Sequence, residues 1–383
     1  MMTEDNVDDW KSYLKYSVVQ GFAPYLSDDF VQAHFDFYSK ELSGSKKLRE
    51  RWKRVVGSVN GTLGDAVGKL YVDNYFPPRA KERMLDLVGN LKTALRGRIE
   101  KLDWMSDSTK EKALYKLKVM NVKIGYPDKW RDFSSLDISR DSYVDNMLKA
   151  IKFEYDYNLE KVGKPVDKDE WHMSPQTVNA YFSPNMNEIV FPAGILQPPF
   201  FFLDADDAVN YGGIGVVIGH EITHAFDDQG RQFDAEGNLH DWWQPVDAEN
   251  FKAKAQVLVD QYNSYEVLPG HAVDGELTLG ENIADFGGLT VSLEALRMAQ
   301  GDLSEPKIDG FTPLQRFFLS YAQIWRQNIR DKELMKRIKE DVHSPAKERV
   351  NGGVVNIPEF YQAFGVDSTA NLYIPPSERA NIW

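Results

Sequence analysis

The feature that most constrains this chain is a pair of histidines, His220 and His224, separated by three residues in an otherwise apolar segment. In an α-helix, positions i and i+4 share one face, so the two imidazoles point the same way with Glu221 beside them. The flanking positions are strongly apolar: Val216, Val217, Ile218, Ile222 and Phe226. A buried polar trio needs partners, and the pattern therefore predicts a helix that offers two nitrogen ligands to one metal ion and a carboxylate to its bound water.

Composition limits which residues can complete such a site. The sequence has no cysteine and seven histidines, which excludes disulfides, thiolate metal sites and cysteine nucleophiles. Any metal must be held by His, Asp or Glu. The alternative is an amphipathic helix that merely carries two surface histidines, and the apolar flanks disfavour it.

The third ligand does not occur at the spacings of several common zinc-peptidase groups. A thermolysin-like pattern would have Glu about twenty residues after the second histidine, where this chain has Gln244, and the aminopeptidase-like position one residue earlier is Trp243. A metzincin would continue with Gly and His three and six residues after His224, where the chain has Asp227 and Gly230.

A second predicted helical segment, residues 280–285, carries Glu281 and Asp285 one turn apart. One of these carboxylates can bind a metal, and the other can orient a histidine ligand through its second ring nitrogen. Two carboxylates on one helical face repel each other unless a cation compensates.

The first 140 residues predict helices. One apolar stripe recurs at spacings of four and three: Leu87, Leu91, Leu95, Ile99 and Leu102. Ser108 and Glu111 predict a capping-box start for the next helix, and residues 125–127 (GYP) predict its end.

From about residue 140 the pattern changes. Residues 143–157 predict a helix, the polar run 163–169 a connector, and residues 178–182 and 188–191 a short β-hairpin. We therefore expect a mainly α protein with a small β-sheet (α+β). Its predicted domains are a partial helical lobe at residues 1–140 and a domain around the metal helix at residues 141–383.

Bulk properties exclude some partners. The chain of 383 residues is 42% hydrophobic and carries a formal net charge of −13, which disfavours nucleic acid and anionic membranes. The first ten residues are acidic and lack the basic and apolar regions of a signal peptide, and no stretch approaches 18 apolar residues. We expect no export signal or membrane segment in this chain, and its localisation stays open because its natural start is expected to lie upstream.

Several motifs together resemble the neprilysin (M13) family of zinc endopeptidases. They are residues 217–231 (VIGHEITHAFDDQGR), 280–285 (GENIAD), 178–182 (VNAYF), 189–201 (IVFPAGILQPPFF), 341–345 (DVHSP) and 349–351 (RVN). The helical region from Trp10 to Pro127 and the terminal Trp383 are similar as well. The resemblance covers essentially the whole chain and implies a thermolysin-like zincin catalytic domain.

Carried over by position, the resemblance implies a complete catalytic site. His220, His224 and Glu281 would bind one Zn²⁺ per chain, and Asp285 would support a ligand histidine. Glu221 would be the general base, because zinc acidifies its bound water and a nearby carboxylate can take the proton. His343 and Arg349 would donate hydrogen bonds to the oxyanion and to the substrate carbonyl.

The resemblance also implies how a peptide is held. Asn179 and Ala180 would pair with the substrate backbone as an edge strand. The pocket for the residue after the cut would be walled by Phe200, Val216, Val217, Ile324 and Trp325, although each is also a plausible core residue. If these residues form the pocket, the enzyme cleaves small peptides on the amino side of large apolar residues.

Members of the resembling family are longer than this chain. We expect the missing part on the amino-terminal side, supplied as a separate chain or replaced by self-association. The competing interpretation is a peptide-binding or inactive half that needs its N-terminal half for activity. The presence of Glu221 and all three ligands favours the enzyme.

Overall fold

The computed structural model describes residues 6–383, and the first five residues, which begin the acidic amino-terminal segment, lie outside the described part. The chain forms two compact units. The small unit comprises Met1–Val67, Lys129–Lys168 and Ile329–Lys336, and the large unit comprises Gly68–Asp128, Asp169–Asn328 and Arg337–Trp383. Each unit is assembled from several chain segments. The domain boundary expected near residue 140 stays a prediction.

Helices dominate the described chain, which confirms the predicted mainly α class with small sheets. In chain order they are α1 (Val7–Phe22), α2 (Asp28–His34), α3 (Arg51–Thr62), α4 (Gly64–Tyr75), α5 (Pro78–Lys101), α6 (Asp107–Val119), α7 (Tyr143–Leu159), α8 (Asp207–Asn210), α9 (Val216–Thr223), α10 (Pro245–Asn263), α11 (Leu279–Gln300), α12 (Pro313–Ile324), α13 (Asp331–Glu340), α14 (Ala346–Val354) and α15 (Pro358–Phe364). One π-helical segment, Phe35–Glu41, extends α2, and another, Tyr211–Gly215, precedes α9.

The predicted apolar stripe forms the buried face of α5. Leu87, Leu91, Leu95 and Ile99 are each at most 4% exposed, and this face packs against α11. Pro78 at the first helical position suits a helix start, since its missing N–H would have no intrahelical partner there. The local pattern and the tertiary packing therefore agree over this helix.

The start of α6 differs from the prediction. Its N-cap is Ser106, not Ser108, and the Ser106 backbone N–H and hydroxyl both donate to the Asp247 carboxylate. A capping box between Ser108 and Glu111 was the wrong interpretation, because the helix already begins at Asp107 and its N-cap Ser106 is held by a carboxylate from α10, 141 residues away.

The predicted hairpin is present as β2 (Tyr181–Ser183) and β3 (Glu188–Pro192), which pair antiparallel. The sequence analysis missed β1 (Asn121–Gly125), which pairs parallel with β3 and which had been assigned to the end of a helix. The strand order is β1-β3-β2, so β2 is an edge strand. A second, two-stranded sheet joins β4 (Glu266–Leu268) and β5 (His271–Ala272).

Helices α9 and α11 cross with their backbones in contact at two glycines. A Cβ on Gly219 would lie 2.9 Å from the Cα of Gly288, and a Cβ on Gly288 would lie 2.5 Å from the carbonyl oxygen of Val216. Only glycine permits so close an approach. This crossing brings the histidines of α9 beside the carboxylates at the start of α11.

Over the part of the chain that the structure describes, no helix combines the length and apolarity that a bilayer crossing requires.

Candidate active site

The two motif histidines lie at the carboxyl end of α9. His220 is within the helix and buried, whereas His224 is the residue that caps it. Their Nε2 atoms are 2.9 Å apart. The predicted i, i+4 geometry therefore brings two imidazole nitrogens to a single point.

Each histidine has a carboxylate behind it. Asp285 Oδ1 lies 2.8 Å from His220 Nδ1, and Asp227 Oδ2 lies 2.6 Å from His224 Nδ1. A carboxylate at Nδ1 keeps the proton on that nitrogen and leaves the Nε2 lone pair free to bind a metal. Sequence reasoning had not assigned a role to Asp227, although its position three residues after His224 places it within reach.

Glu281 completes the cluster from the first turn of α11. Its Oε2 lies 3.2 Å from His220 Nε2, and its Oε1 lies 3.7 Å from His224 Nε2. One ligand atom from each of the three residues lies within 4.8 Å of the others. The buried Oε2 of Glu281 has no aligned hydrogen-bond donor among the described residues. Two imidazole nitrogens and an unsatisfied carboxylate oxygen are a donor set that suits zinc, whose tetrahedral ligand atoms lie about 3.3 Å apart.

Electrostatics also favour a cation among these atoms. Burial lowers the pKa of His220, but Asp285 and Glu281 outweigh burial and raise the pKa to about 10. Burial alone would raise the pKa of Glu281, but contact with His220 and the charges of His224 and Arg349 hold it well below its usual range. The carboxylates therefore favour a positive charge at the imidazole nitrogens, which a proton or a metal ion can supply.

Glu221 is buried beside the cluster and lines the same cavity. Burial raises the pKa of its carboxyl group, although His220 and His224 act in the opposite direction. A raised pKa increases the proton affinity of this carboxyl group. Its chemistry therefore differs from that of Glu281, whose pKa is lowered.

Arg349, on α14, is 6% exposed and contacts Asp285 through two hydrogen bonds. The ring of Trp325 lies against the guanidinium, with 4.0 Å between the centroid and Cζ. Arg349 Nη2 is also 3.6 Å from Glu281 Oε2. Arg349 thus neutralises the carboxylate behind His220 and still borders the cavity.

His343 approaches the cluster from the loop before α14. Its Nδ1 lies 2.8 Å from Asp341 Oδ1, and its Nε2 lies 3.3 Å from Glu281 Oε2. The side chain of His343 is 46% exposed. Ser344 anchors the loop by donating a hydrogen bond to Asn282 on α11.

A cavity of about 590 Å³ opens onto these residues. Its lining includes most of the predicted substrate residues: Asn179, Ala180, Phe200, Val216, Val217 and Trp325. Ile324 is 9% exposed on α12 and is not among the lining residues found in the described chain. Asp227, Gln229, Gly230 and Phe233 line the cavity from the loop after α9, a contribution that the sequence had not indicated.

Two family models match the chain. One described as peptidase family M13 covers residues 179–380, and a second with the same description covers residues 1–127. The first alone covers more than half of the chain, including both histidines, Glu281 and Arg349. The chain belongs to peptidase family M13.

Individual M13 relatives agree with this assignment. Neprilysin of Homo sapiens is 36% identical over 396 residues, which cover 100% of this chain and 52% of its own length. An endothelin-converting enzyme homolog of Locusta migratoria is 38% identical over 382 residues, which cover 97% of this chain and 52% of its own length. The chain therefore spans about half the length of the curated M13 relatives that it matches.

Solved M13 structures share the fold. The zinc metalloprotease ZMP1 of Mycobacterium tuberculosis, in complex with an inhibitor, superposes with a TM-score of 0.94 at 48% identity and covers 99% of this chain and 58% of its own. PepO from Lactobacillus rhamnosis gives a TM-score of 0.91 at 36% identity, and the match covers 100% of this chain and 59% of the PepO chain. At these identities the similarity extends to the sequence as well as to the fold.

Proposed function

We propose that this chain is the catalytic part of a zinc-dependent endopeptidase that hydrolyses small peptides. One observation carries the proposal: His220 Nε2, His224 Nε2 and the Glu281 carboxylate converge in the wall of a cavity that also contains Glu221. Membership in a family of peptidases and the name of the similar zinc metalloprotease support it.

His220, His224 and Glu281 would hold one zinc ion per chain. When bound, zinc supplies a Lewis acid that polarises the scissile carbonyl and acidifies water. Asp285 and Asp227 keep the Nδ1 protons of the two histidines in place and so fix the ring orientation.

Glu221 would act as the general base. It would take a proton from the attacking water and pass it to the amine that leaves. Burial of the carboxyl group supports this role, because a raised pKa brings its proton affinity closer to that needed for both transfers.

His343 and Arg349 would stabilise the negative charge that develops on the substrate carbonyl oxygen. His343 Nε2 faces the cluster while Asp341 holds Nδ1, which leaves Nε2 available as a donor when the ring is protonated. Arg349 would combine two tasks, because two of its nitrogens bind Asp285 and its guanidinium borders the cavity.

The peptide backbone would add a strand to the sheet at β2. This strand is at the edge of the sheet, and the exposed Asn179 and the backbone of Ala180 immediately precede it along the cavity. Main-chain pairing of this type gives affinity, while side-chain pockets give specificity.

Specificity would come from the apolar wall formed by Phe200, Val216, Val217 and Trp325. An apolar pocket of this kind favours a large apolar side chain, and we assign it to the residue on the carboxyl side of the cleaved bond. Ile324 would act from behind this wall, since it is buried on α12 next to Trp325.

The test is hydrolysis of internally quenched peptides by the purified chain, with and without a chelator and after zinc is restored. We expect activity that the chelator removes and zinc restores. The Glu221→Gln variant is the control for a contaminating peptidase. Zinc and peptide binding without turnover, in every reconstitution, would instead favour the peptide-binding alternative.

We also infer that another polypeptide segment covers the small unit. Helix α1 buries none of its sixteen residues, and several of its large apolar side chains are exposed: Tyr13 59%, Leu14 53%, Tyr16 62%, Val18 60% and Val19 47%. Trp52 and Val56 on α3 are likewise 62% and 50% exposed. Apolar exposure on this scale is typical of an interface.

The inferred partner is the amino-terminal half of the family's longer chains, with a second copy of this chain as the alternative. Because the sequence has no cysteine, burial alone would hold the two together. The native mass and hydrolysis rate should be compared for the chain alone and with the upstream segment. A monomer of 43.8 kDa that is fully active by itself would refute the inference.

A further inference from the structure

Lys116, on α6, is a lysine buried to 1% exposure in the large unit. Its Nζ donates three hydrogen bonds to backbone carbonyl oxygens: Ala225 at 2.8 Å, Gly230 at 2.8 Å and Phe233 at 2.7 Å. An ammonium group has three protons, so these acceptors use its full donor capacity. All three acceptors belong to the loop that follows His224.

The charge of Lys116 is retained despite its burial. Burial lowers its pKa to about 8, while the charges of Asp227 and Asp234 favour the protonated form. Aromatic rings also face the ammonium, with Phe226 at 5.7 Å and Trp242 at 5.9 Å from ring centroid to Nζ. The three carbonyl acceptors also favour the protonated form, because a neutral amine has only two protons to donate.

The loop held by Lys116 orients a metal ligand. Asp227 Oδ1 accepts hydrogen bonds from the backbone N–H groups of Gln229 at 2.9 Å and Gly230 at 2.6 Å, and Asp227 Oδ2 contacts His224 Nδ1. The loop folds back closely on the helix end, since a Cβ on Gly230 would lie 1.7 Å from the carbonyl oxygen of His224. Lys116 secures the loop on both sides of Asp227, at Ala225 and at Gly230.

The same lysine connects this loop to the β2–β3 hairpin. Asn187, in the turn between β2 and β3, donates from Nδ2 to the carbonyl oxygens of Lys116 at 3.1 Å and Ala235 at 3.2 Å. Asn187 adopts a positive φ of 46°, which asparagine tolerates better than most residues. The turn of the hairpin and the loop after α9 therefore meet at residue 116.

We propose that Lys116 is a positioning residue for the metal centre, which holds the loop at residues 225–233 so that Asp227 orients His224 before any metal binds. The proposal rests on the proposed function only in taking His224 as a ligand. Lys116 does not contact the substrate or the metal ligands, and its effect passes through three backbone carbonyls.

The first experiment measures zinc affinity by chelator competition in Lys116→Met. Lys118→Met, an exposed lysine on the same helix, is the matched control. We expect Lys116→Met to bind zinc about 10- to 100-fold more weakly, the range typical when a residue that orients a ligand is lost, and the control to match wild type. A purely structural role would lower the melting temperature and leave the zinc affinity of the folded protein unchanged, which would overturn the proposal.

The second experiment uses only the wild-type chain, so it does not depend on whether a variant folds. Hydrogen exchange of residues 225–233 is followed by mass spectrometry in the wild-type chain, with zinc removed and with zinc restored. We expect protection of this loop before zinc is added. A loop that exchanges freely without zinc and becomes protected only with it would show that the metal orders the loop, and Lys116 would lose its assigned role. Both readouts are independent of peptide hydrolysis, so the absence of hydrolysis in every reconstitution would refute the proposed function without deciding this one.

Discussion

Arg349 and Asp285 form a buried bidentate ion pair, with Nε 2.6 Å from Oδ2 and Nη2 2.7 Å from Oδ1. Asp285 Oδ1 also contacts His220 Nδ1 at 2.8 Å. The carboxylate thus carries a hydrogen-bonded connection from α14 to His220 on α9, a proposed metal ligand. Burial opposes the ionised form of Asp285, but Arg349 and His220 outweigh it and lower the pKa of the carboxyl group.

Substituting Arg349→Met should destabilise the protein and weaken the metal site. Removing one partner leaves a buried carboxylate without compensation, so we expect the free energy of unfolding to fall by about 3–5 kcal/mol. Denaturant titration measures this change. Lys347→Met, on the same helix with a side chain that is 79% exposed, is the control and should change stability by less than about 0.5 kcal/mol. Equal stability of the two variants would show that the ion pair between Arg349 and Asp285 does not stabilise the fold.

Substituting Glu221→Gln should abolish turnover and leave zinc bound. The amide keeps the shape of the side chain but cannot accept the proton, and Glu221 is not among the three clustered ligand residues. Elemental analysis and a peptide assay together test this expectation. Loss of the metal, or retention of the rate, would show that the role of general base is wrongly assigned.

Substituting Glu281→Ala should produce the reverse order of effects. The variant removes a ligand atom, so metal is lost first and activity falls as a consequence. Titration with zinc should recover part of the activity, because both histidine ligands remain. If metal content stays at the wild-type level while activity is lost, Glu281 is not a ligand.

Cleavage should occur on the amino side of large apolar residues such as Phe and Leu. Mass spectrometry of a digested peptide mixture identifies the cleaved bonds. The Val217→Phe variant narrows the cavity. Its kcat/KM for peptides with Phe or Leu after the cleaved bond should fall by about tenfold or more relative to peptides with Ala at that position. Cleavage mainly before charged residues would return Val217 and Trp325 to a purely structural role.

Acid should remove the stabilising contribution of Asp247. Burial would raise the pKa of this carboxyl group, but the hydrogen bonds from Ser106 and Thr109 outweigh it and the pKa is lowered in the folded state. A carboxyl group with a lowered folded pKa stabilises the fold above its unfolded pKa of about 3.9, and the contribution disappears as pH falls through the folded value.

The corresponding measurement compares wild type with Asp247→Asn in denaturant titrations between pH 7 and pH 3. We expect a difference of about 1 kcal/mol at pH 7, which shrinks as the pH falls. Asp260→Asn, an exposed carboxylate on the same helix, controls for the lost charge. A difference that grows on acidification would have the wrong sign for this mechanism.

Much of the site was predictable because its information is local. The i, i+4 spacing of His220 and His224 sets their common direction, and the same spacing places Glu281 and Asp285 on one face of α11. The apolar period likewise predicted the buried face of α5. In each case the helix repeat relates residues that are at most a few turns apart, so the sequence alone carries the relationship.

Other features depended on contacts between distant segments. Strand β1 exists because it pairs with β3, 67 residues later at Asn121 and Glu188. Ser106, the N-cap of α6, donates to Asp247, which lies 141 residues later, and the loop after His224 is held by Lys116, more than 100 residues earlier. No local period encodes such partners.

The sequence by itself determined which residues can bind a metal and which helices carry them. Only the tertiary structure decided how those helices meet, through the close crossing of Gly219 and Gly288, and which buried groups orient the ligands. The physical reason is that a helix fixes side-chain direction over one turn, whereas packing and the need to satisfy buried charges act across the whole chain.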